Sequence, residues 1–227
     1  MASYSPPQSA APNGEDFWDS IPHQLRLAVC RVIPADEVSE MAEQCDGTDS
    51  VIDKYQAFEK ILQHTLDVRS TSLGPEHIDT LAVLFPLAMV QTELGHNVLA
   101  ELNYLKLLEV HERLNGPDSS WAVMNNLALV LNAQGKYSEA EEILRRLLPL
   151  LNARMGAESP QVLGCWRKLI EALAAQGKQA EAREMLFEGL KRTKNMTGEY
   201  QKDEQKAMQE MAAYIDNGSQ QGSIAAH

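Results

Sequence analysis

The side chains in this 227-residue chain best suited to chemistry are amides and cations rather than nucleophiles. Asn125, Asn126 and Asn132 fall close together, and Arg167, Lys168 and Glu171 follow about forty residues on. An asparagine amide supplies both a donor and an acceptor, which suits the backbone of an extended peptide. Arg167 and Lys168 are suited to holding a carboxylate. Asn126 is a poor helix former set beside the apolar Leu127, so something other than local propensity favours it. Two roles fit: contact with a bound peptide, or a link between neighbouring elements of the fold.

Catalytic signatures are scarce by comparison. The chain has no glycine-rich phosphate loop and no GxSxG elbow. Its histidines (His23, His64, His77, His96, His111 and His227) pair with no cysteine or carboxylate at ligand spacing. Glu76 beside His77 and Glu112 beside His111 are sequence neighbours, which diverge on a helix. No metal site and no cofactor are expected. Cys165, next to Trp166, reads as a small core residue rather than a nucleophile. Cys30, Cys45 and Cys165 are odd in number and widely spaced, which suits a reducing compartment better than a disulfide framework.

Charge narrows the partners. The formal net charge is −12 and the pI is near 4.9, which argues against nucleic acid and against anionic membrane surfaces. Residues 1–115 hold 18 acidic against 7 basic residues, and residues 116–227 hold 14 against 13. The first eighteen residues show no basic and apolar leader pattern, and no apolar run approaches the ~20 residues of a membrane span. A cytoplasmic location is the expectation.

Helices must position the candidate residues. Met124, Leu127, Ala128 and Leu131 fall at i, i+3, i+4 and i+7, and a second stripe runs from Tyr137 and Ala140 through Leu144, Leu147 and Leu148. Gly135 separates them, so residues 124–148 predict a helical hairpin. Similar pairs flank Gly95 and Gly177, at spacings of 40 and 42 residues. In register with these glycines stand Leu87-Ala88, Leu127-Ala128 and Leu169-Ile170, then Ala100, Ala140 and Ala182, then Tyr104, Leu144 and Leu186. A hairpin of this kind cannot bury its apolar face alone, so constant spacing predicts a stack.

The expected organisation follows. Residues 1–23 are a Ser-, Pro- and Ala-rich disordered segment, with Phe17, Trp18 and Ile21 either a linear docking peptide or a cap on the fold's edge. A single repeat domain spans 24–216. It holds a degenerate cap hairpin at 35–72, with Asp49 as N-cap of a helix carrying Ile52, Tyr55, Phe58, Ile61, Leu62 and Leu66 on one side. Clear repeats at 80–114, 118–155 and 159–196 follow, then a capping helix at 200–216. Residues 217–227 are a disordered tail. Pro86 and Pro149 interrupt predicted helices and predict kinks.

The run Met124, Leu127, Ala128, Leu131, Gly135, Tyr137, Ala140 and Leu144 resembles the tetratricopeptide repeat. The period, longer than the usual ~34 residues, together with LGPEHIDTL at 73–81 and MNNLA at 124–128, is similar to the kinesin-light-chain type. No heptad coiled coil precedes the repeats. The resemblance, over about residues 73–196, implies an all-α fold, an α-α superhelix built as a right-handed solenoid. It also implies that the first helix of each hairpin lines a concave groove. Its groove candidates are Asn125, Asn126, Leu129 and Asn132, then Arg167, Lys168 and Glu171, then Phe85, Met89 and Thr92. In the resembling family an asparagine at the place of Asn126 contacts bound peptide; the earlier repeat has Pro86 there. The implied function is protein binding, as an adaptor or scaffold that holds a partner segment, with no bond made or broken. Two alternatives stand beside it. One is a small-molecule enzyme or enzyme accessory, which needs an enclosed pocket; the other is self-association into a homo-oligomer.

Overall fold

A computed structural model describes residues 21–44, 50–116, 120–195 and 200–224. Every regular element among them is an α-helix: α1 His23–Cys30, α2 Ala35–Gln44, α3 Val51–Ser72, α4 Ile78–Glu93, α5 Asn97–Asn115, α6 Trp121–Ala133, α7 Tyr137–Met155, α8 Pro160–Ala175, α9 Gln179–Asn195 and α10 Gln201–Ile224. Contacts divide the chain into two compact units, Met1–Asn103 and Tyr104–His227, the division falling within α5. The sequence groups 24–216 as one stack, whereas the contacts separate residues up to Asn103 from those that follow.

In the first unit α1 and α3 both pack on α4. Leu25 and Val29 from α1, Tyr55, Phe58 and Leu62 from α3, and Val83, Leu87 and Val90 from α4 form one core, joined by Ile21. Ile21 thus serves as an edge cap; Phe17 and Trp18 lie outside the described residues. Burying a Leu, Val or Phe side chain contributes ~1.5–3 kcal/mol, which sets these residues well above any surface contact. Arg69 ties three elements together, donating to the carbonyls of Val32 at 2.6 Å and Asp79 at 2.8 Å. Two local expectations change. Ser50 caps α3, its hydroxyl accepting from the Asp53 backbone N–H at 3.3 Å, while Asp49 lies outside the described residues. Ile52 sits in the first turn of α3, is 61% exposed, and leaves the apolar side to Tyr55, Phe58 and Leu62.

The second unit contains two whole hairpins, α6–α7 and α8–α9, followed by α10. Gly135 ends α6 at φ +74°, a left-handed conformation that a Cβ opposes. The Gly135 N–H donates to the Asn132 carbonyl at 2.9 Å and the Lys136 N–H to the Leu131 carbonyl at 2.9 Å, satisfying two orphan carbonyls of the helix end. The same pair of bonds recurs after α4 and α8, at Gly95 and Gly177. Past the turn, Ala140 is fully buried where α7 returns against α6, as are Ala100 and Ala182 in α5 and α9. A small residue there lets the paired helices approach, and Met124, Leu127, Ala128, Leu144, Leu147 and Leu151 fill the space between. Pro86 and Pro149 both lie inside helices. The last helix continues to Ile224, eight residues past 216, despite Gly218 and Gly222.

Candidate functional site

The candidate site is the solvent side of α6 and α8, the first helices of the two hairpins in the second unit. In α6 the core takes Val123, Met124, Leu127, Ala128, Val130 and Leu131. That leaves Asn125 and Asn126 half-buried and Leu129 42% exposed on the remaining face. In α8 the core takes Val162, Leu163, Cys165, Trp166, Leu169 and Ile170, leaving Arg167, Lys168 and Glu171 half-buried. The two helices pack together, so residues about forty apart in sequence become neighbours.

Those neighbours form a linked polar row. Lys168 Nζ donates to Asn125 Oδ1 at 3.0 Å. Asn132 Nδ2 donates to the Lys168 carbonyl at 2.9 Å and lies 3.4 Å from Glu171 Oε2. Burial pulls the Lys168 pKa below its usual value; Cys165 and Glu171 oppose the shift and Arg167 adds to it. The ammonium is therefore costly to hold charged, and the Asn125 carbonyl is its fixed acceptor. Asn125 Nδ2 reaches Asn126 Oδ1 at 3.5 Å, the outer limit of a hydrogen bond. The amide NH2 of Asn126 has no partner among the described residues and stands at the end of the row.

The other candidates separate into distinct positions. Asn132 is only 4% exposed; its NH2 joins α6 to α8 while its Oδ1 has no donor among the described residues. It acts as the link between hairpins. Arg167 forms an ion pair with Glu204 of α10, so its carboxylate partner is the chain's own last helix. Phe85, half-buried, and Met89, packed against the first unit's core, belong to α4 with Thr92, whose hydroxyl donates to the Ala88 carbonyl. The structure thus gathers the α6 and α8 residues into one row, and Phe85 and Met89 belong to the first unit. Cys165 is fully buried, with Sγ 3.9 Å from the Leu144 carbonyl, and burial pushes its thiol up to about 12. A thiol held protonated there is a packing group.

A second polar cluster escapes a residue-by-residue reading of the sequence. Glu141 of α7 is 8% exposed and accepts from Arg145 Nε at 2.9 Å, Gln176 Nε2 at 2.8 Å and Lys178 Nζ at 2.5 Å. Burial alone would raise its pKa, but the bonds from Lys178, Arg145 and Gln176 outweigh burial and lower it to about 2. Arg145 also pairs with Glu181 of α9. The cluster fastens the turn of one hairpin to the helix of the previous one. Its sequence signal is the repeated Gln-Gly-Lys at 134–136 and 176–178. Among the described residues no three His, Cys, Asp or Glu side chains gather as a metal could use, and no helix is long and apolar enough to cross a membrane.

Residues 119–195, the span of α6 to α9, match the tetratricopeptide repeat family. Among solved structures, two of a Podosopora anserina protein, named as a putative kinesin light chain with nearly identical TPR-like repeats, share the fold. One superposes with a TM-score of 0.67 at 20% identity, covering 89% of this chain and 89% of that one. The other gives 0.66 at 20% identity, covering 89% and 90%. No curated protein matches the sequence. The family match thus covers the two hairpins of the second unit, and the chain shares the all-α, TPR-like repeat fold of those solved structures. Such repeats generally mediate contacts between proteins.

Proposed function

We propose that this protein is an adaptor or scaffold that binds a segment of a partner protein along the α6–α8 face, with Asn126 at the point of contact. The observation that carries the proposal is the state of the three asparagines. Asn125 is bonded to Lys168 and Asn132 is buried between helices, whereas the Asn126 NH2 remains available on a half-buried side chain. An amide so placed has a donor for a peptide carbonyl, while its Oδ1 faces Asn125. Leu129, one turn along and 42% exposed, supplies an adjoining apolar contact. The binding is non-covalent and rests on preformed shape plus a few placed polar groups.

The test is Asn126→Ala in the full chain, with partners captured by affinity purification and counted by mass spectrometry. Losing a hydrogen bond of this kind weakens the complex by about ten-fold. The triple variant Asn126→Ala, Arg167→Ala, Lys168→Ala extends the loss, and Glu204→Gln serves as control for the Arg167 ion pair. An unchanged partner set in the triple variant overturns the assignment.

A further inference from the structure

Lys168 stands apart in what holds its amine. Lys178, Lys191 and Lys206 each lie beside a carboxylate, of Glu141, Glu188 and Glu210 respectively. Lys60, Lys106 and Lys202 are exposed, so water solvates their charge. Lys168 is half-buried, and its Nζ donates at 3.0 Å to the neutral Oδ1 of Asn125. No carboxylate forms an ion pair with it among the described residues.

The surrounding elements explain why. Helix α6, packed against α8, contains no acidic or basic residue from Trp121 to Ala133, so the facing surface supplies no counterion. On α8 itself the preceding residue is the cation Arg167, already paired with Glu204 of α10. Glu171, one turn on, holds Oε2 at 3.4 Å from Asn132 Nδ2 and reaches Lys168 through its charge alone. Cys165, one turn back, has its thiol pushed up to about 12 by burial, so at neutral pH it carries no charge to balance the amine. A desolvated lysine beside another cation is held less firmly as the ammonium, and the free amine is the nucleophile.

We propose that Lys168 is a modification site, its amine acylated by a short-chain acyl thioester that reaches the α6–α8 face from solvent. The Nζ lone pair attacks the thioester carbonyl, the carbon–sulfur bond breaks, and the departing thiolate takes the proton that the nitrogen sheds. The products are an amide at Nζ and a free thiol. Asn125 Oδ1 accepts one N–H and so orients the amine. Leu129, one turn along α6 from Asn125 and 42% exposed, gives a short acyl chain an apolar neighbour. The amide retains one N–H for Asn125, so the link between α6 and α8 survives while the positive charge is lost. Glu171 then becomes the unbalanced charge of the row. The reaction needs no bound partner, so it is tested apart from the docking role of the α6–α8 face.

The full-length protein is incubated with S-acetyl-N-acetylcysteamine, a small acetyl thioester, at about pH 7.5. Acetylation at each lysine is followed in time by peptide mass spectrometry. We expect Lys168 to react at least about three-fold faster than the exposed Lys60 and Lys106. The preference disappears in urea, where burial and the facing α6 surface are lost. Asn125→Asp sets a carboxylate against Nζ and holds the ammonium, which slows Lys168 by about five-fold or more while Lys60 and Lys106 keep their rates. Glu171→Gln removes the opposing carboxylate and speeds Lys168. A rate at Lys168 equal to or below that of Lys60 in the folded protein overturns the proposal. So does a preference that persists in urea, which would assign it to the local sequence, a Lys168 rate unchanged by Asn125→Asp, or a slower one in Glu171→Gln. Circular dichroism checks that both variants keep their helices.

Discussion

Glu141→Gln tests whether the clustered charges at a hairpin junction hold the stack together. The wild-type carboxylate is depressed from its ordinary 4.5 to about 2. At ~1.4 kcal/mol per unit, the charged form gains on the order of 3 kcal/mol in the folded state over the unfolded one. That figure needs discounting, because the side chains of Lys178 and Arg145 are each 45% exposed and water screens them. Glutamine also keeps an acceptor for one donor. The net loss at pH 7 should therefore be about 1–2 kcal/mol. The sign with pH follows from the depressed value. The contribution is complete above about 4.5 and disappears as pH falls through about 2. Urea unfolding followed by far-UV circular dichroism, at intervals from pH 7 to pH 2.5, should give a gap between parent and variant that is flat down to about pH 5 and then narrows. A gap that stays constant from pH 5 to pH 2.5, or one below ~0.5 kcal/mol at pH 7, would refute the reasoning.

Two further substitutions should move stability in opposite directions although each replaces glycine by alanine. Gly135→Ala forces a Cβ into a backbone at φ +74°, where it meets only an ordinary 3.9 Å contact with Tyr137, so the cost is conformational, about 1–2 kcal/mol. Gly164→Ala lies within α8, where the added Cβ meets Arg167 Nη2 at 3.9 Å, and it should stabilise by about 0.5–1 kcal/mol; in thermal melts, a lowered Tm for Gly164→Ala or an unchanged one for Gly135→Ala would refute the respective expectation. With its thiol pushed up to about 12 and no exposed surface, Cys165 should resist maleimide at pH 7.5 in the folded protein and react in urea, read at that residue by mass spectrometry.

The parts of the fold legible in the sequence are those in which a residue acts on its own backbone or on a near neighbour. Gly135 reads as a turn because its conformation is local, and Ala140 reads as a close approach because it recurs in register at Ala100 and Ala182. The candidate row is legible as a set of residue types on one helix face, and α6 and α8 do bring Asn125, Asn126, Lys168 and Glu171 together. Which amide links hairpins cannot be read from residue type, since Asn126 and Asn132 are the same residue and the answer depends on what α8 places beside each. Asn132 meets a backbone carbonyl 36 residues on, and nothing local to it announces that bond. The partner of Arg167 is hidden for the same reason: Glu204 is 37 residues away, in a helix with no repeat counterpart. At Ile52 periodicity points inward, but the first turn of α3 leaves that side chain in solvent.

The repeats also carry information through their departures from one another. A core position that repeats explains packing, because every hairpin must bury the same face against its neighbour. A junction position is constrained by what comes next in the array, so its residue type describes its neighbour. Glu141 is acidic because Lys178 and Gln176 approach it, and Glu59 has His96 opposite it.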